Sequence, residues 1–198
     1  MTRESSSALA LVPRSISRVA RADLPKYLTK DEVGRLLAAC RRARDRLILR
    51  VMWETGVRAS ELTSLTSESI DFTGEALRVV TLKRRGHMRA VPLRPALLGD
   101  LARHIAGSGI DAGVRLFGIT RQRVHQIVRR AAEVAGLPAD RAHPHTLRHS
   151  FAIACVLARV PVLVLAEWLG HRSLESTLVY TKVMCADSRP YLEDVDFG

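Results

Sequence analysis

Cysteine is scarce in this chain: Cys40, Cys155 and Cys185 are the 3 in 198 residues, and none stands at metal-ligand spacing from another. An odd set without that spacing argues against a disulfide framework or a cysteine-built metal centre. It reads instead as reduced thiols, with Cys40 and Cys155 buried on helices. No stretch approaches the roughly 20 consecutive apolar residues of a membrane span. The Ser- and Arg-rich opening, Met1 to Ala22, lacks the continuous apolar core of a signal peptide despite a short greasy run from Ala8 to Val12. A cytoplasmic protein is the expectation. No internal repeat or low-complexity tract is present, which excludes a repeat array. Acidic residues are also few: 20 Asp+Glu against 31 Lys+Arg leave a formal net charge of +11.

That charge, with a sequence pI near 10.7, favours a polyanionic partner such as nucleic acid. Arginine supplies most of it, and its planar fork suits phosphate better than an ammonium does. Apolar residues make up 47% of the chain and mean hydropathy is +0.03, the balance of a soluble domain long enough to bury a core.

The patterning predicts a mainly α fold with a small antiparallel β-sheet. Residues 1–27 read as a flexible basic leader, residues 28–184 as the ordered domain, and residues 185–198 as an acidic tail. Thr29-Lys30-Asp31-Glu32 is a capping box for a first helix ending near Cys40. A second helix over 43–55 stops at Gly56, which places Arg58 just before a short helix carrying Glu61 and Leu62. The period then changes to two: 70–72, 77–82 and 90–93 read as strands joined by turns at Thr73-Gly74 and around Arg85-Gly86. Helices over 95–105, 121–135, 144–158, 161–169 and 173–183 complete the chain.

Chemistry gathers in four local contexts: Thr-Gly-Val-Arg-Ala-Ser-Glu-Leu at 55–62, His-Thr-Leu-Arg-His at 145–149, Leu-Gly-His at 169–171, and Tyr180 nine residues after His171. Guanidiniums clamp the non-bridging oxygens of a phosphodiester, imidazoles donate or shuttle protons, and a phenol can attack phosphorus. Each residue also has a plainer reading: Arg148 as a surface ion pair, Tyr180 as a core ring with a wet hydroxyl, Glu61 as an ordinary i,i+3 partner of Arg58. A metal site at His143, His145 and His149 is disfavoured by Pro144 and by the absence of nearby carboxylates. His149 is expected to be packed or hydrogen-bonded locally.

In order and spacing these contexts resemble the catalytic domain of the tyrosine recombinases, the phage-type integrases, over about Leu24 to Val183. The resemblance implies that Arg58 and Arg148 bind the scissile phosphate and that His145 and His171 hydrogen-bond it or handle protons. Tyr180 would be the nucleophile, leaving a 3′-phosphotyrosyl bond and a free 5′-hydroxyl. It also implies a hairpin lysine that protonates the leaving oxygen. Counting back from Val91-Pro92-Leu93 without a gap puts Arg84 at that position. Arginine is a poor acid, so Lys83, the only lysine of the segment, is assigned by a one-residue shift. Arg84, Arg85, Arg121, Gln122 and Arg123 are candidate DNA contacts, the last three at the opening of a helix suited to a major groove.

The activity so implied is site-specific DNA recombination without metal or nucleotide cofactor, on double-stranded DNA, by a tetramer on synapsed sites. Relatives usually carry an N-terminal helical domain that closes around DNA. Only the short leader precedes the domain here, which is similar to the fimbrial-switch invertases and implies modest affinity and an accessory partner. Two alternatives stay open: a relaxing enzyme resembling the type IB topoisomerases, and a DNA-binding accessory protein that has lost turnover.

Overall fold

The computed structural model describes residues 24–81, 87–185 and 196. Helix α1 spans Lys30–Ala38 behind the expected capping box: Thr29 Oγ1 accepts from the Glu32 amide, and the Glu32 carboxylate accepts from the Thr29 amide. Helix α2 (Ala43–Thr55) follows, then the single turn α3 (Ala59–Leu62) and a 3-10 turn at Ser67–Ser69. Strands β1 (Ile70–Asp71), β2 (Ala76–Thr81) and β3 (His87–Pro92) form an antiparallel sheet in the order 1-2-3. Among the described residues the α-helices after it are α4 (Pro95–Ser108), α5 (Arg121–Val134), α6 (Pro144–Leu157), α7 (Val162–Leu169) and α8 (Glu175–Cys185), with a 3-10 turn at Ala139–Arg141 before α6. The boundaries move by up to three residues from those predicted, most at the end of α4 and at the start of β3. The mainly α class with a small antiparallel sheet is the architecture observed.

Apolar faces hold this arrangement together. Fully burying one leucine-sized side chain contributes about 1.5–3 kcal/mol, more than a helix cap at about 1 kcal/mol. Leu36, Ile48, Leu49, Val51, Met52, Leu62 and Leu147 are all buried in one cluster. A second cluster forms where α6 meets α7 and α8, from Phe151, Ile153, Val156, Leu165, Leu169, Tyr180 and Val183. Leu24 and Tyr27, at the end of the predicted leader, pack against this second cluster. The Leu28 amide donates to buried Ser150 Oγ at 2.7 Å. Of the predicted tail, Cys185 closes α8, and Asp196 is exposed.

The two described thiols differ from expectation in placement. Cys40 is buried just past the α1 C-cap, not on the helix, and Cys155 is half-buried on α6. Burial raises the pKa of both, Cys155 to about 12, so neither is poised to react. Among the described residues no helix is long and apolar enough to cross a membrane.

The α2–α3 corner sets the site. Gly56 ends α2 at φ +64, and a Cβ there would stand 2.4 Å from Phe151 Cδ1. A side chain therefore meets both a left-handed backbone, costing about 1–3 kcal/mol, and the α6 ring. Gly56→Ala is expected to lose at least about 2 kcal/mol in denaturant unfolding. A loss under about 0.5 kcal/mol would mean that the corner yields freely.

Candidate active site

Arg58 caps α3 in extended backbone, its amide donating to Glu61 Oε2 at 2.8 Å and its Nη1 to Glu61 Oε1 at 2.9 Å. The side chain is 33% exposed, which leaves it open to an anion. Arg148, on α6, is buried: Nη1 donates to the Gly56 carbonyl and Nη2 to the Leu169 carbonyl, each at 2.6 Å. One guanidinium thus ties together the carbonyl at the end of α2 and that at the end of α7. A lysine cannot span both acceptors.

Sequence reasoning missed the third arginine. Arg89 on β3 is 2% exposed; it donates through Nη1 and Nη2 to the two oxygens of Glu61 at 3.0 and 2.8 Å, and through Nε to the Trp168 carbonyl at 2.8 Å. Its signal was period two. Arg89 pairs with Val79 while Val91 pairs with Leu77, so the arginine lies in the buried stripe of the sheet, where an apolar residue is ordinary. Gly170, at φ +62, ends α7 against this side chain; a Cβ there would stand 3.0 Å from Arg89 Nη1. The glycine of Leu-Gly-His therefore accommodates both a helix end and a buried arginine.

Burial alone would push the Glu61 carboxyl up. The Arg89 hydrogen bonds and charge, helped by Arg58, outweigh it and hold the pKa below the ordinary value. Three guanidiniums, those of Arg58, Arg89 and Arg148, surround this one carboxylate, so the site has cationic charge left for an anion. Burial and the neighbouring Arg58 charge bring Arg148 down to about 9.

Tyr180 projects from α8 with its side chain 3% exposed. Burial raises its pKa, while Arg148 and Arg58 pull against that rise. The histidines divide. His171 Nδ1 meets Thr177 Oγ1 at 2.7 Å, and its ring stacks beside Tyr180 with centroids 6.4 Å apart. His145 is exposed on the first turn of α6, its pKa lowered by burial of part of the ring and by Arg148. His143 nitrogens lie 3.1 Å from Thr146 Oγ1. His149, expected to be packed or hydrogen-bonded locally, is half-buried, and its hydrogen bond is not local: Nδ1 lies 2.9 Å from the Tyr180 hydroxyl, across from α6 to α8.

Lys83, Arg84 and Arg85 lie between β2 and β3, outside the described residues. Arg121, Gln122 and Arg123 are exposed at the start of α5, remote in sequence from the Arg58–Arg148 cluster. Arg123 also lines a groove of about 370 Å³ with Arg41, Arg42 and Arg130.

Residues 26–186 match the model of the phage integrase family. The chain belongs to that family. Among its curated relatives, a tyrosine recombinase XerA from Pyrococcus horikoshii is 32% identical over 178 residues, a match covering 86% of this chain and 61% of the relative. The chain spans about three fifths of the length of the first curated relatives it matches. The catalytic domain of bacteriophage HP1 integrase superposes with a TM-score of 0.65 at 27% identity, covering 85% of this chain and 94% of that domain. The XerH site-specific recombinase, solved with its difH substrate before cleavage, shares the fold at a TM-score of 0.68 and 24% identity, over 80% of this chain and 50% of XerH.

The site histidines of this phage integrase family member carry a pH prediction. Burial, reinforced by neighbouring cations, depresses both His149 and His171 to about 4 from 6.5. A group depressed on folding contributes stability that is present above its unfolded pKa and lost as pH falls through the folded value. Thermal unfolding midpoints should therefore hold above pH 6.5 and fall between there and about 4. The decline is expected to be smaller in a His149→Gln, His171→Gln double variant. An unchanged decline would place the acid sensitivity in the carboxylates.

Proposed function

We propose that this chain is a tyrosine-type site-specific DNA recombinase, cutting and rejoining double-stranded DNA through a covalent 3′-phosphotyrosyl intermediate on Tyr180. One observation carries the reading: the Tyr180 phenol is buried, which raises its pKa, within the fields of Arg148 and Arg58, which oppose that rise. Those two side chains are braced from different elements, as a preorganised anion clamp requires. In this reading they bind the non-bridging oxygens and gain strength as charge builds on the pentacoordinate phosphorus. His145 and His171 add donors to the same phosphate: when His171 Nδ1 accepts from Thr177, its Nε2 carries the proton and is the donor of the ring. Glu61 positions Arg58, and Lys83 protonates the leaving 5′-oxygen.

Arg121, Gln122 and Arg123, with Arg84 and Arg85, serve as DNA contacts, and the groove lined by Arg41, Arg42, Arg123 and Arg130 extends a cationic path for the backbone. A tetramer on synapsed sites is part of the proposal. It is supported by Leu163, Val164, Leu174 and Leu178, which stay exposed on and beside α7 and α8, where a neighbouring subunit could cover them.

The test uses nicked duplexes from the DNA flanking the coding sequence, incubated without metal, and a denaturing gel. The expected product is a protein–DNA adduct whose modified peptide contains Tyr180. DNA binding without any adduct would overturn the reading in favour of an accessory DNA-binding protein.

A further inference from the structure

A tyrosine at neutral pH attacks phosphorus only if something accepts its proton, since an ordinary phenol ionises near pH 10. Among the described residues the hydrogen-bond partner of the Tyr180 hydroxyl is His149 Nδ1, at 2.9 Å. The His171 ring runs near-parallel to the phenol with centroids 6.4 Å apart, and its Nδ1 is engaged by Thr177. His145, one turn before His149 on α6, has its ring centroid 6.4 Å from that of His149 and is exposed.

We propose that His149 is the general base of strand cleavage, receiving the Tyr180 proton on Nδ1; this rests on the recombinase reading above. The Tyr180 oxygen forms a bond to phosphorus as the bond from phosphorus to the 5′-oxygen breaks. The phenolic proton moves to His149, and the departing 5′-oxygen takes its proton from Lys83. In rejoining, the 5′-hydroxyl attacks phosphorus and gives its proton back to the deprotonated Lys83; the bond from phosphorus to the Tyr180 oxygen breaks, and the His149 imidazolium returns its proton to the leaving phenolate. Nothing is consumed, so the two directions are balanced.

The surroundings suit this role. The charges acting on His149 come from His145, Arg148 and His143, on its own helix or that helix's cap, and the phenol faces it from α8. Burial and these neighbours keep the ring neutral when the site is empty, which leaves a nitrogen free to accept. A bound phosphodiester supplies the negative charge that offsets Arg148 and makes the imidazolium easier to form.

His149→Asn separates chemistry from placement, because an asparagine oxygen can replace Nδ1 as hydrogen-bond acceptor but takes no proton. The expected result is adduct formation slowed on the order of 10²-fold at neutral pH. The deficit should narrow by about tenfold per pH unit as alkali ionises the phenol directly. In His149→Ala, added imidazole should restore part of the rate, while Tyr180→Phe stays silent with or without it. Unfolding midpoints check that both variants fold. If wild type forms a Tyr180 adduct and His149→Asn matches or exceeds it at neutral pH, this proposal fails and the recombinase reading stands. The proposal also fails if the asparagine deficit is independent of pH and imidazole rescues nothing. If wild type forms no adduct, both fall together.

Discussion

Tyr180→Phe is expected to abolish the covalent protein–DNA adduct while leaving a folded protein that still binds DNA. The ring belongs to the cluster of Phe151, Leu165, Leu169 and Val183. Phenylalanine fills the same space, so the apolar packing survives. What is lost is one hydrogen bond, to a His149 ring only partly buried, a cost of about 1 kcal/mol. Against a typical stability of about 5–15 kcal/mol this is small. The chemical loss, by contrast, is complete, because no neighbouring group replaces the oxygen that bonds to phosphorus. Adduct yield on nicked duplexes and the unfolding midpoint, measured on the same preparation, separate the two effects. An adduct that persists in the phenylalanine variant would move the nucleophile elsewhere, with Tyr27 and Tyr191 the other tyrosines of the chain.

The parts legible in the sequence were those where local chemistry decides the outcome. The Thr29 capping box and the stop at Gly56 each carry their own instruction, and the structure follows them closely; the last period-two run, read over 90–93, belongs to a strand that starts three residues earlier, at His87. Arg58, His145, Arg148, His171 and Tyr180 could be singled out because each sits in a short motif. What those motifs could not reveal is who touches whom across the fold. His149 pairs with a residue 31 positions away, and Arg148 reaches carbonyls 92 and 21 positions away. Such partners follow from the packing of α6 against α2, α7 and α8. Arg89 was the costliest omission, although a charge two residues before Val91, on the same face of the strand, was a readable anomaly.

Arg89→Ala is expected to remove about 3–5 kcal/mol of stability, the usual result of deleting one partner of a buried ion pair. Glu61 is 6% exposed and would keep only Arg58, itself one third exposed; the Trp168 carbonyl would lose its donor as well. Arg89→Lys should fall between, since an ammonium restores charge but not the fork that meets both Glu61 oxygens. The pH dependence identifies the cause. In the wild type the Glu61 pKa is lowered from 4.5, so its contribution is present above that value and lost as pH falls. In the alanine variant burial is opposed by Arg58 alone, and the folded pKa is expected to rise. The uncompensated carboxylate then costs most at neutral pH, and the cost fades as Glu61 takes up a proton. The gap between wild type and variant should therefore narrow on acidification, as read from urea midpoints at neutral and acidic pH. A gap that stays constant would mean that the loss comes from the cavity left by the side chain, with the charge of Glu61 satisfied by Arg58 alone.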